Sequence, residues 1–159
     1  MPTVIVRAAE AEDSRTFLRL IDALAEYESL TPPDADAQAR LLRDAFGEKR
    51  RIEAWLVEVD GVAAGYAIVF ETYSSFLALP TLYLEDIFVL PSYRGCGAGK
   101  ALFLALARLA RERNCGRMEW TVLDWNRLAL DFYERLGARH MREWLLYRLT
   151  AEDLAALGE

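Results

Sequence analysis

The sequence predicts an α+β fold, a mixed twisted sheet with helices on both faces, in a single domain over residues 1–159. Three observations predict it. Residues 86–100, DIFVLPSYRGCGAGK, run from a buried apolar strand through a Pro turn and a Gly-rich crossing into a long helix. Asp60-Gly61 separates two apolar runs, which is a strong hairpin signal. Residues 82–123 read as strand, helix, strand, the pattern of a right-handed parallel crossover. A hairpin and a crossover in one sheet make it mixed, and amphipathic helices must cover its faces.

The elements follow in chain order. Residues 3–8 alternate as a strand. Asp13 or Ser14 caps a helix whose apolar stripe is Phe17, Leu20, Ile21 and Leu24. Thr31-Pro32-Pro33 breaks it, and Asp34 or Asp36 opens a second helix that ends at Gly47. Strands at 53–59 and 62–70 flank the Asp60-Gly61 turn; 71–81 reads as a loop and 82–90 as a fourth strand. A helix from about 97 to 114 buries Leu102, Phe103, Leu106, Leu109 and Ala110. A strand at 118–123 precedes a helix capped near Asn126, with core stripe Leu128, Phe132 and Leu136, and stopped by Gly137. Two short strands and a weak helix after Thr150 close the chain.

Composition sets limits. A chain of 159 residues suits one domain, and 53% apolar content marks it as globular. No apolar run approaches the roughly 18–20 residues needed to span a bilayer, and no signal-peptide pattern is present. Cys96 and Cys115 fit a reducing cytoplasm better than a disulfide framework. A net charge of −6 argues against non-specific nucleic-acid binding and favours a cationic substrate. No metal site and no membrane partner are expected.

The strand that runs into a Gly-rich helix N-terminus is an anion site. Backbone N–H groups converge there without internal partners, the helix dipole adds positive charge, and glycines let a phosphate touch the backbone. A nucleotide-triphosphate loop does not fit: Gly99-Lys100 is followed by Ala101, and Arg94 stands where the first glycine belongs. A dinucleotide fingerprint fails by one residue, since the spacing is Gly95-x-Gly97-x-Gly99.

The pattern Arg94-x-x-Gly97-x-Gly99 after "LPSYRG" resembles the acetyl-CoA pyrophosphate loop of the GNAT superfamily of N-acetyltransferases. "LYLEDIFV" (82–89), "VLDWNRLALDFYERLGA" (122–138) and "RLIDALAEYE" (19–28) resemble the diamine (spermidine/spermine, thialysine) branch of that superfamily. The resemblance implies a GNAT acyl-CoA N-acyltransferase fold with a strand–helix–strand–helix coenzyme-binding core, and a homodimer by family habit. It implies acetyl transfer from acetyl-CoA to a primary amine of a small polycation by direct attack. Protein, peptide or antibiotic acetylation, or a non-catalytic acyl-CoA-binding domain, are the alternatives.

The resemblance also distributes roles. Arg94, Gly95, Cys96, Gly97, Ala98, Gly99 and Lys100 would hold the pyrophosphate, with Lys100 adding charge or remaining a solvated helix residue. Ile87, Phe88 and Val89 would offer backbone groups to the pantetheine arm and the acetyl carbonyl, provided this strand is splayed from its parallel neighbour. Tyr133, in the Trp125-Asn126 to Tyr133 pattern, would be the general acid for the thiolate, because a phenol stays protonated up to a pKa of about 10. Asn126 would touch the coenzyme or cap its helix, and Ala129 shares the stripe of Tyr133.

Glu85 would be the carboxylate that holds the amine and drains its proton through water, while alternation points Asp86 to the other face to pair structurally. Tyr27, Glu28, Glu119, Trp120 and Glu143 complete the substrate set; the register at Glu143 is open, and each acid alone also reads as a solvated surface residue. Cys96 lies where a thiol pKa is lowered, but no triad accompanies it. His140 reads as structural.

Overall fold

The computed structural model describes residues 1–158. Its elements are β1 (Val4–Ala8), α1 (Ser14–Tyr27), α2 (Ala35–Phe46), β2 (Glu53–Val59), β3 (Val62–Ser74), β4 (Leu79–Val89), α3 (Ala98–Glu112), β5 (Arg117–Glu119), α4 (Arg127–Arg135) and α5 (Ala151–Leu157). Its contacts divide it into two compact units, Met1–Thr121 and Val122–Glu159.

The first unit holds a five-stranded sheet in the order β1-β2-β3-β4-β5. The pairs β1/β2, β2/β3 and β3/β4 are antiparallel, and β4/β5 is parallel, as a crossover through α3 requires. Asp60-Gly61 closes the β2–β3 hairpin with both residues at positive φ (50° and 78°). Asp34 caps α2 by accepting from the Ala37 N–H at 2.9 Å.

Helices cover both faces. On one, Phe17 and Leu20 of α1 and Ala45 of α2 pack against Ala54, Leu56, Tyr66, Ile68 and Phe88. The alternate positions Val57, Ala67 and Val69 face the other way and are buried under α3, whose Leu102 and Leu106 are fully covered. Register places Leu82, Leu84 and Val89 of β4 on that α3 face.

Three expectations are corrected. Residues 71–81 are mostly strand, because Glu71–Ser74 pair with Leu79–Leu82 and leave only 75–78 as the turn. Pro80 misleads a sequence reading, yet near a strand start its missing N–H costs little. Strand 118–123 shrinks to Arg117–Glu119, because parallel pairing with β4 ends at Tyr83↔Glu119. The two closing strands are absent among the described residues: no strand pairs with 138–149, whose backbone bonds include local ones such as Arg142 N–H to the His140 carbonyl and Trp144 N–H to the Met141 carbonyl, at 3.1 Å each.

The second unit contains α4 and α5. Thr150 and Asp153 form a capping box at the start of α5, and Gly137 ends α4 at φ 85°. The proposed α4 stripe is only partly covered, with Leu128 56% exposed. Among the described residues no helix is long and apolar enough to cross a membrane.

Candidate active site

The anion loop forms as its sequence predicts. After β4 the chain makes a short 3-10 turn, Pro91–Tyr93, and enters α3 through Gly95 and Gly97, at φ 82° and 87°. L-residues reach that region only with strain. No side chain caps α3, so its first-turn N–H donors are left for a ligand. Ala98 is buried and anchors the turn, whereas Lys100 is exposed. A Cβ at Gly95 or Gly97 would meet nothing within 4 Å, and one at Gly99 would meet only Val89 Cγ2 at 3.8 Å. Open space over a ring of backbone donors fits a pyrophosphate. Cys96 donates its thiol to the Tyr93 carbonyl at 3.1 Å, the behaviour of a small loop residue.

Strand β4 supplies the second part. Ile68 faces Asp86 while Val69 faces Leu84, so Glu85 has no opposite number: it is a β-bulge. Pairing with β5 stops at Tyr83, so Ile87, Phe88 and Val89 have β3 on one side and no strand on the other among the described residues. Peptide groups without a strand partner on one edge are what an acyl carbonyl and an amide-bearing arm can bond, although the Val89 carbonyl already accepts from Arg94 Nε at 3.0 Å.

The bulge also sorts the acids. Asp86 falls on the α1/α2 face, where the hydroxyl of Tyr66, itself fully buried, donates to its Oδ2 at 2.8 Å. Glu85 is exposed. Burial, then the nearby charges of Glu85 and Glu28, push Asp86 up to about 6, against the lowering effect of the Tyr66 bond. Burial raises Glu28 as well. None of these three carboxylates forms an ion pair among the described residues.

This strain has a sign. A carboxyl whose folded pKa lies above its ordinary 3.8 favours the fold below about pH 4 and loses that contribution as pH rises through 6. The shift corresponds to about 3 kcal/mol at most. Asn at this position keeps an acceptor for Tyr66 and does not titrate. Asp86→Asn should therefore gain stability relative to wild type by up to about 3 kcal/mol between pH 4 and 7, read from urea unfolding at stepped pH. Parallel pH profiles for the two proteins would refute it.

The other sequence-predicted residues are placed as follows. Tyr27 and Glu28 end α1 half-buried, and Arg94 stacks on Tyr27 at 4.7 Å. Glu119 pairs with Arg117 at 2.9 Å and shares the face of Tyr83. The Trp120 ring meets Phe103 of α3 edge-on at 5.3 Å. In the second unit, Asn126 caps α4 by accepting from the Ala129 N–H at 3.2 Å. Tyr133 is half-buried beside Phe132, and Glu143 and His140 are exposed. Sequence reasoning missed Tyr66, whose signal was a lone hydroxyl in the apolar run AAGYAIVF.

Comparison with known proteins agrees with this geometry. The model of the acetyltransferase (GNAT) family matches residues 17–138. The chain is 33% identical to a thialysine N-epsilon-acetyltransferase of Sus scrofa over 99% of both chains. It is 47% identical to an L-ornithine N5-acetyltransferase of Arabidopsis thaliana over 63% of this chain and 44% of the relative. An integron cassette protein from the mobile metagenome of V. cholerae has the same fold, at TM-score 0.83, 25% identity and 98% coverage of both chains. A phosphate-ready loop, a bulged β4 and these likenesses converge: the chain belongs to the GNAT acetyltransferase family and is an acetyl-CoA-dependent N-acetyltransferase.

Proposed function

We propose that the acceptor is a primary amine of a small polycation: a diamine, a polyamine or a lysine analogue. One observation carries this reading. Glu28 and Glu85 raise the proton affinity of Asp86, all three carboxylates raise that of Tyr66, and none of the three forms an ion pair among the described residues. Such a cluster is costly alone and favourable with a bound ammonium. The relatives named for thialysine and ornithine acetylation, both dibasic amino acids, support it.

In this reading the amine attacks directly in a ternary complex. Glu85, exposed on its bulge, accepts the ammonium proton through water. The free amine then forms the C–N bond as the thioester C–S bond breaks. Peptide groups of Ile87–Val89 stabilise the oxyanion, Tyr133 gives its proton to the leaving thiolate, and the proton shed by the acylated nitrogen passes through water to restore the phenol. The backbone of the 94–100 loop fixes the pyrophosphate, and Asn126 and Ala129 line the coenzyme arm. Tyr27, Glu28 and Glu119 read the second charge of the substrate; Trp120 and Glu143 rest on the resemblance alone. The reading includes one catalytic domain over 1–159 and a cytoplasmic homodimer, the latter checked by sedimentation equilibrium.

A coenzyme-release assay over an amine panel tests the substrate. Dications should outpace monoamines of equal length, with rates rising at alkaline pH as free amine is populated. Glu28→Gln should raise KM for dications about 5–50-fold and for monoamines about twofold or less, because one half-buried ammonium–carboxylate contact is worth roughly 1–2 kcal/mol. Faster turnover of a peptide N-terminus or an aminoglycoside than of every diamine would refute the substrate class.

A further inference from the structure

Arg94 opens the phosphate loop, yet its side chain turns back from it. Its guanidinium lies over the Tyr27 ring at 4.7 Å and the Phe88 ring at 5.6 Å. Its Nε donates to the Val89 carbonyl at 3.0 Å. The two rings are themselves 5.8 Å apart. One planar cation thus ties the root of the coenzyme loop, the end of α1 and the open stretch of β4.

We infer that Arg94 is a positioning residue for the amine side of the site, acting as a rigid strut that holds Tyr27 and the Val89 peptide, rather than a side-chain ligand of the phosphates. This rests on the acetyltransferase reading but not on the substrate class. Tyr27 is followed directly by Glu28, so the stack sets where the end of α1 presents its carboxylate. The Val89 carbonyl, once bonded to Nε, fixes the tilt of the peptides at the acyl end. A guanidinium can stack on two rings and donate in its own plane at once; an ammonium has the charge but not the plane.

The charge-keeping substitution separates the two roles. With the best-turned-over amine of the panel, whatever its class, Arg94→Lys and Arg94→Gln should both raise the amine KM about 3–30-fold. Tyr27→Leu should do the same, and Arg94→Lys combined with Tyr27→Leu should cost less than the product of the single effects. Calorimetric titration of acetyl-CoA at stepped salt should show an unchanged salt slope in Arg94→Gln, since no phosphate contact is lost. A wild-type amine KM in Arg94→Lys would overturn the strut, as would a flattened salt slope in Arg94→Gln or strictly multiplicative effects with Tyr27→Leu.

Discussion

Tyr133→Phe should lower kcat by about 10²–10⁴-fold and leave acetyl-CoA affinity within about twofold. Phe keeps the ring and its contact with Phe132, whose centroid lies 5.6 Å away. The Tyr133 carbonyl would still accept from the Leu136 and Ala138 N–H groups, at 3.1 Å each, that close α4. Only the hydroxyl, and with it the acidic proton, is removed, so the expected loss falls on the step that expels a thiolate. Steady-state kinetics and calorimetric titration of the same variant separate turnover from binding. Wild-type turnover from the Phe variant would make Tyr133 a packing residue.

Gly97→Val should weaken acetyl-CoA binding by about 10²–10³-fold, the equivalent of losing roughly two charge-assisted backbone bonds. Gly97 sits at φ 87°, so Val would also strain the loop by about 1–2 kcal/mol. Gly99 separates these causes. Its backbone is ordinary, and a new Cβ would only touch Val89 Cγ2 at 3.8 Å, so the fold tolerates Ala there. Affinity lost in a Gly99→Ala protein of wild-type stability reports solely on how closely the ligand approaches, and about tenfold is expected. Unchanged affinity in folded Gly97→Val would remove the loop from the coenzyme site.

Much of this was legible along the chain. Hydrophobic period, the Asp60-Gly61 turn, the Asp34 cap and the glycines of 95–99 are local features, and each fixes φ, ψ or burial through residues a few positions apart. They located α1 to α3, β1 to β4 and the anion loop, and together with the LYLED and WN-x-x-x-x-x-x-Y stretches they carried the resemblance to the GNAT family. The β4 bulge left a trace as well: its inward apolar positions step 82, 84, 87, 89, a break in period two at Glu85.

Tertiary structure decided what depends on partners distant in sequence. Tyr66 and Asp86 are 20 residues apart and meet only because β3 and β4 pair in one register. Burial of Asp86 in that register, with Glu85 beside it and Glu28 arriving from α1, raises its proton affinity against the lowering effect of the Tyr66 bond, which no local pattern encodes. Arg94 looks like a phosphate ligand by position, but the packing of α1 over β4 brings Tyr27 and Phe88 under its guanidinium. Local sequence sets backbone conformation and which face is apolar, whereas side-chain pairing and charge environment are set by strand register and helix docking, and these exist only in the folded chain.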